Sequence, residues 1–483
     1  MLAVSCIQVE SGDLRHYCGA SDGNQVNAAR SAIIPYFAHK SIVFLQLGAR
    51  RLKKTALLSA ALTAASFALV SCNSGPKLTL PPSKLTTRVF ASQSISSPTS
   101  RSGLVIIDAF NDTLPQASEI AAGTSPGLMA ISPERSTVLV FDSATNSVDV
   151  VNSNKETLTG AIQLAGPTTS MVALGNGFGY AAVPGAVLNG FPPGAVEVMN
   201  IASGGVTATI SVPNAQTVVA SPDGTTLLVF SSDSDAVTIV SPLSLNTGIP
   251  LTTTVPGFDR PVYAVFGGDG TPYILNCGPQ CGSSSASASV QVLNLGATPS
   301  AGTSVAVDAA TIGFVSGTTL YVAGTPTASA ASPAPNNLCT GEATAAPTCG
   351  RLDIVDLGSM SVTGSAVITD GYHDRIDMSS NGQLFIGSHT CTTIGNVAAP
   401  QGEVRGCLSI FNTLTNAVVI PPDNGDVTGL QSFTSRYVEY VAEGGNLRVY
   451  DTTIDKLLIN TFVTTGTIGI TGQVIDVKAV DFF

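Results

Sequence analysis

Thr217-Val218-Val219-Ala220-Ser221-Pro222-Asp223-Gly224-Thr225-Thr226-Leu227-Leu228-Val229-Phe230, followed by the polar Ser231 to Asp235 and then by Ala236-Val237-Thr238-Ile239-Val240, is the stretch that decides the fold. Short β-branched and aliphatic runs alternate with turn chemistry. Pro presets the backbone of a tight turn, Asp hydrogen-bonds to its own loop, and Gly takes the positive φ that the exit from such a turn requires. The stretch therefore reads as three antiparallel strands joined by two tight connections.

Working outward, the same cycle recurs. Met129 to Pro133 leads to Thr137-Val138-Leu139-Val140-Phe141 and Ser147-Val148-Asp149-Val150-Val151; Ile376 to Gly382 leads to Gln383-Leu384-Phe385-Ile386-Gly387 and Cys407-Leu408-Ser409-Ile410-Phe411. A fourth Thr/Val-rich run, such as Val206 to Val212, completes each unit. A four-stranded unit of about 40 to 50 residues is what one β-propeller blade requires. The Ser-Pro-Asp-Gly turn, the aliphatic strand after it and the Val-x-Val strand at Val237 to Ile239 resemble the YVTN-type propeller repeats. Only one unit carries the full turn motif; the others keep the hydrophobic pattern. The resemblance implies an all-β propeller over residues 86–483 and implies no particular activity. Units fall near 86–123, 125–166, 167–212, 213–257, 258–307, 308–370, 371–423 and 424–467, which favours eight blades, with seven as the alternative if one weak unit is a loop. The first unit lacks an inner strand and the tail Gln473 to Val480 is a strand without a unit. The expectation is that the tail completes the first blade and closes the ring.

Composition agrees. The chain has 483 residues, 44% hydrophobic and 11% charged, with 48 Gly, 28 Pro and no Trp, which excludes a disordered chain or a coiled coil. With 21 basic against 32 acidic residues, the net charge is −11, so no nucleic-acid partner is expected.

The N-terminal region reads as an address. Arg50-Arg51-Leu52-Lys53-Lys54, the uncharged run Thr55 to Val70 and Ser71-Cys72 form a basic segment, an apolar segment and a small-residue cleavage site. The apolar run is too short for a membrane-spanning helix, which needs about 20 residues. Leu69-Val70-Ser71-Cys72 resembles the bacterial lipobox, which implies lipidation of Cys72 and attachment to the cell envelope by that lipid alone. Asn73 in place of Asp leans toward the periplasmic side of the outer membrane. Residues 1–49 read as an upstream extension from a misassigned start, 50–71 as the signal peptide and 72–85 as the anchor linker. Beyond Cys72 six cysteines remain, and an even number suits an oxidising compartment. Nearest-neighbour pairing joins Cys277 with Cys281, Cys339 with Cys349, and Cys391 with Cys407, although six cysteines permit 15 pairings. Zinc is the rival reading, with only His389 beside a cysteine and no paired Cys-x-x-Cys knuckles.

Two charged segments precede inner strands: Phe258-Asp259-Arg260-Pro261 and Tyr372-His373-Asp374-Arg375-Ile376-Asp377. In a propeller such segments face one mouth of the central channel. Asp259, Arg260, His373, Asp374, Arg375 and Asp377 are therefore the candidate ligand-binding residues. Arg suits a carboxylate or phosphate, and His373 with Asp374 or Asp377 suits a proton or a metal. The structural alternative is an Asp–Arg pair tying neighbouring blades together. No Gly-x-Ser-x-Gly elbow and no phosphate-binding loop is present, so no catalytic residue and no metal ligand is assigned. No cofactor is assigned either; Asp142 to Asn152 and Ser231 to Asp235 offer oxygen ligands for calcium, without a site being named. The function expected is a protein-binding or scaffolding module with an envelope protein as partner; the alternative is an enzyme or binder of a small anionic ligand at the channel mouth, with Arg260 and Arg375 as clamps and His373 as base. A monomer is expected.

Overall fold

The computed structural model describes residues 80–95, 103–116, 119–242, 251–327, 349–391, 406–421, 425–433 and 435–481. The opening stretch folds as its sequence reads. Strands Ala215–Ala220, Leu227–Ser231 and Ala236–Ser241 pair in antiparallel order with Leu251–Pro256. In the Ser-Pro-Asp-Gly turn the Gly224 N–H donates to Ser221 O at 2.9 Å, and Gly224 holds φ +67°. Asp223 Oδ1 accepts from Ser221 Oγ at 2.6 Å and from Thr225 N at 3.1 Å. These bonds take up the polar groups of a turn that no strand can satisfy.

Seven further sheets of this kind follow around a ring. The eight inner strands are Gln473–Ala479, Pro126–Ile131, Ser170–Ala173, Ala215–Ala220, Pro261–Phe266, Ile312–Ser316, Tyr372–Met378 and Val427–Ser432, which head blades 1 to 8 in that order. Each inner strand touches the next, and the last touches the first. The chain is an eight-bladed β-propeller.

The C-terminal strand closes the ring as its sequence position suggested. Gln473–Ala479 pairs antiparallel with Arg88–Ser94, so blade 1 is built from both ends of the domain. The joint is tied by charge. Arg88, only 2% exposed, donates from Nε and Nη2 to the Asp481 carboxylate at 2.9 and 2.6 Å, and from Nη1 to Glu156 Oε1 at 2.9 Å and Ser153 O at 2.6 Å. Burial alone would lower its pKa, but Asp481 and Glu156 raise it above the ordinary value. Across the other side of blade 1, Arg436 of blade 8 grips the buried Asp112 carboxylate at 2.8 and 2.7 Å, and the Tyr440 hydroxyl donates to the same group.

The apolar core is divided among the blade interfaces. The described residues form eight buried clusters, one between each pair of neighbouring blades. Second strands such as Phe178–Val183 and Leu227–Ser231 are nearly continuous apolar runs because both faces of a central strand are covered. Outer strands such as Thr157–Gln163 are mostly exposed and Thr-rich. Buried polar residues satisfy the chain where it crosses from blade to blade. Asp142 accepts from Thr124 N and Ser125 N, Glu197 from Ala165 N, Asp353 from Asp308 N, and the Ser409 hydroxyl from Thr369 N. The cost of such placement shows in the carboxyls. Burial, with Asp142 nearby, pushes Asp149 up to about 6; burial, with Asp308 nearby, does the same to Asp353.

Two of the expected disulfides are in place, Cys277–Cys281 and Cys391–Cys407. Cys349 is disulfide-bonded, while Cys339 lies outside the described residues, as do Cys72, residues 1–49 and the segment 50–71 whose sequence reads as a signal peptide.

Candidate functional site

A β-bulge opens several of the inner strands. The register slips between Pro126 and Met129, Ala215 and Thr217, Pro261 and Tyr263, and His373 and Arg375. A bulge places an extra residue against one partner and re-aims its side chain. Here the residues in the slips, Leu128, Gln216, Val262 and Asp374, all line one cavity of about 730 Å³. That volume accommodates a small organic molecule. The wall is rich in hydroxyls and amide, with Thr169, Ser170, Thr217, Ser231 and Ser232 from blades 3 and 4, Tyr263 from blade 5, Thr311 from blade 6 and Tyr372 from blade 7.

Two guanidinium groups reach this space from different blades. Arg260, which leads into blade 5, stands at φ +52°, a left-handed backbone that a non-glycine residue rarely adopts. Its N–H donates to Asp235 Oδ1 at 3.2 Å, and its carbonyl accepts from Cys277 N at 3.0 Å. Among the described residues its side chain makes only loose ion pairs, at 3.7 Å to Asp233 and 3.8 Å to Asp235, with both carboxylates well exposed. Pairs of that kind contribute about 0–1 kcal/mol. Arg375 of blade 7 donates from Nε to Thr428 O of blade 8 at 2.7 Å and from Nη1 to Asp374 Oδ2 at 2.8 Å. Its Nη2 makes no hydrogen bond among the described residues.

The third element of the site is a cluster around Asp374. Its Oδ2 lies 3.5 Å from His389 Nε2, and the His389 ring stacks on Tyr372 with centroids 5.7 Å apart and planes 8° apart. The pairing of Tyr372 opposite His389 across the hairpin of blade 7 dictates that stack. Asp374 Oδ1 is buried without a hydrogen-bond partner among the described residues. Burial pushes the Asp374 carboxyl up, against the opposing pull of Arg375 and His389. Burial also raises the Tyr263 phenol, with the Arg375 charge working against it.

The six residues singled out from the sequence divide into two groups. Arg260, Asp374 and Arg375 line the cavity. Asp259, His373 and Asp377 do not. Asp259 uses its N–H on Asn276 Oδ1 at 3.3 Å. His373 is fully buried, its ring packed so closely on Gly350 that a Cβ there would sit 2.9 Å from Cε1. Burial drives its imidazole down to about 4. Asp377 Oδ2 accepts from Ser432 N of blade 8 at 2.8 Å, beside the fully buried Glu439, whose carboxyl burial and then Asp377 push well above its usual range. The Asp–Arg tie between blades thus exists in altered form: Arg260 pairs with the preceding blade rather than with Asp259, and Asp377 grips the backbone of the following one.

Sequence reasoning missed Tyr372, His389 and Cys281 as wall residues. A cross-strand reading of the hairpin places His389 opposite Tyr372, and that signal was present in the spacing. The oxygen-rich segments read for calcium are occupied by protein groups. Asp142 accepts from Thr124, Ser125 and Ala144 N–H groups and from the Thr145 hydroxyl, and Asp233 and Asp235 face Arg260. Among the described residues no group of three His, Cys, Asp or Glu side chains is placed to hold a metal.

No family model matches the chain, and no curated protein matches its sequence. Many solved structures share the fold. The dihydro-heme d1 dehydrogenase NirN is similar at 12% identity and a TM-score of 0.55, over 85% of this chain and 78% of that one. The periplasmic gluconolactonase of Pseudomonas aeruginosa is 14% identical with a TM-score of 0.44, over 81% and 98%. The hydrazine synthase of Kuenenia stuttgartiensis is 13% identical with a TM-score of 0.41, over 74% and 86%. Identities this low bear on the fold alone.

Proposed function

We propose that this β-propeller binds a small, hydroxyl-bearing anion at the channel mouth. The observation that carries the reading is the convergence of Arg260 and Arg375, from blades 5 and 7, on one hydroxyl-lined cavity of about 730 Å³. Arg260 is held by loose ion pairs and Arg375 Nη2 has no acceptor among the described residues, so both guanidiniums retain capacity for a ligand carboxylate or phosphate. The bulged residues and the Ser and Thr hydroxyls supply the polar contacts that fix orientation. Asp374, His389 and Tyr372 stand where a bound anion's hydroxyl would exchange a proton, which leaves room for an enzymatic role at the same place.

The disulfides support an oxidising, extracytoplasmic address. With the lipobox-like segment ending at Cys72, this gives a lipid-anchored protein of the cell envelope as the proposed setting. The scaffold reading draws support from a different surface. Ile454, Ile459 and Phe462 stand 58%, 71% and 63% exposed where the outer edge of blade 8 is reduced to two-residue strands, and such apolar exposure suits contact with an envelope protein.

Calorimetric titration of the full chain with citrate, against glycerol as a neutral polyol, tests the anion reading. Citrate is expected to bind and glycerol not to. Arg260→Gln and Arg375→Gln should each lower citrate affinity about tenfold or more, the loss that follows from removing a charge-assisted hydrogen bond. Equal binding by both variants and the parent chain would overturn the assignment.

A further inference from the structure

The cavity wall includes one disulfide-bonded cysteine. Cys281 lines it alongside Arg260, whereas its partner Cys277 is fully buried. The Cys391–Cys407 disulfide contrasts with this, since both of its cysteines are only 1% exposed. A thiolate entering the mouth therefore meets one half-buried disulfide cysteine, and its bridge joins residues only four apart in sequence. We propose that the Cys277–Cys281 disulfide exchanges with small carboxylate-bearing thiols admitted to the mouth cavity, with Cys281 as the sulfur attacked. The proposal rests on the anion reading for its choice of thiol, and on the exposure of the bridge for its chemistry.

The turn that carries the bridge is held independently of it. Cys277 N–H donates to Arg260 O at 3.0 Å and Gly278 N–H to Asp259 O at 3.3 Å. Gln280 Oε1 accepts from Thr325 N at 3.0 Å, and Thr325 Oγ1 in turn donates to Gly371 O at 2.7 Å. Gly278 stands at φ +57°, and a Cβ there would lie 2.9 Å from Ser287 O, so the tight path is fixed by the backbone. Opening the S–S bond leaves these bonds in place and keeps the two sulfurs near each other for reclosure. The same hydrogen bonds run from the bridge to Gly371, next to Tyr372, and so join the redox state of the turn to the wall of the cavity.

The chemistry balances with thiols alone. A small thiolate attacks Cys281 Sγ, forming a mixed disulfide as the Cys277–Cys281 bond breaks, and the electron pair goes to Cys277 Sγ, which takes up a proton. A second thiolate attacks the small-molecule sulfur of the mixed disulfide and releases Cys281 as a thiolate, which takes up a proton. Two thiols are oxidised to one small disulfide while the protein bridge is reduced to a dithiol. Because the buried Cys277 is a poor place for a thiolate, exchange is slow unless the attacking thiol is held in position, which is what Arg260 and Arg375 supply.

The test uses the full oxidised chain under native conditions, with reduced glutathione and with cysteamine adjusted to equal thiolate concentration, followed by peptide mass spectrometry of each cysteine. The expected result is a glutathione adduct on Cys281 and not on Cys391 or Cys407, forming about tenfold faster than the cysteamine adduct, as pairing of its carboxylates with the Arg260 and Arg375 guanidiniums dictates. That advantage should vanish in the Arg260→Gln, Arg375→Gln double variant. No adduct on Cys281, alongside intact citrate binding, would overturn the exchange and leave the anion reading standing. Adduct formation at the same rate with both thiols would overturn the assignment of carboxylate-bearing thiols, and absent citrate binding in that case would place the fault in the anion reading.

Discussion

The arginines of the ring seam and those of the channel mouth are the same side chain in opposite circumstances. Arg88 is buried and spends its guanidinium on Asp481, Glu156 and Ser153. Arg260 touches carboxylates only at 3.7 and 3.8 Å, and Arg375 leans on its own neighbour Asp374 and on a carbonyl of blade 8. The seam arginine is consumed by the fold. The mouth arginines are positioned by the fold and left with capacity. In a chain this poor in charge, the difference separates residues that close the ring from residues that meet a ligand.

The largest effect expected is at the seam. Removing residues 473–483 takes away the inner strand of blade 1 and the Asp481 partner of Arg88, and should abolish cooperative thermal unfolding; a truncated chain that melts like the parent would show that the ring closes without it. Arg88→Ala leaves Asp481 and Glu156 without their cation and should cost about 3–5 kcal/mol in denaturant unfolding. The mouth replacements sharpen the contrast, since Arg260→Gln should change stability by less than about 1 kcal/mol. A loss there as large as at Arg88 would dissolve the distinction between the two regions.

Protonation offers a finer probe of both regions. Asp149 and Asp353 hold their protons up to about 6 in the folded chain, so the folded state binds more protons than the unfolded one between about pH 4 and 6. Their contribution to stability is present at low pH and is lost as pH rises through that window. His373 works in the opposite sense: held near 4 by burial, it stays neutral where the unfolded chain's imidazole is charged, and stability is lost as pH falls from about 6.5 toward 4. The two effects separate by variant. Relative to the Asp149→Asn, Asp353→Asn double variant, the parent should lose about 2–3 kcal/mol per site as pH rises from 4 to 7 in denaturant titrations. A flat difference would mean that these carboxyls are ionised in the fold.

At the mouth the smallest expected effect is electrostatic. Asp374 sits against Arg375 at 2.8 Å and acts as an internal competitor for a bound anion. Its carboxyl is raised by burial, so protonation of Asp374 as pH falls should weaken its competition for Arg375. Asp374→Asn should bind citrate a few-fold better at neutral pH and lose that part of the pH response, as followed by calorimetry.

The blade count, the turn and the closing strand were legible because each is written in local chemistry. Ser221-Pro222-Asp223-Gly224 fixes a turn by itself, and the run Gln473 to Val480 is a strand lacking partners in its own unit. The site was legible only in part. Arg260, Asp374 and Arg375 stood out as charges before inner strands, but which side chain faces the cavity depends on the bulge at Asp374, and no residue type announces that slip. The same bulge explains why His373 points into the blade interface while His389, seventeen positions from Tyr372 in sequence and directly opposite it in the hairpin, reaches the mouth. In the sequence Cys281 is one half of a nearest-neighbour cysteine pair, and its second role as wall depends on the turn that brings blade 5 to the cavity rim.

The most direct measurement is a paired one on the Arg260→Gln, Arg375→Gln double variant: the thermal melting curve and the citrate titration of the same preparation. The account expects a melting temperature within a few degrees of the parent chain, together with loss of measurable citrate binding. A melting temperature that collapses while the remaining folded protein binds citrate as before would contradict it, and would return both mouth arginines to the role that Arg88 plays at the seam.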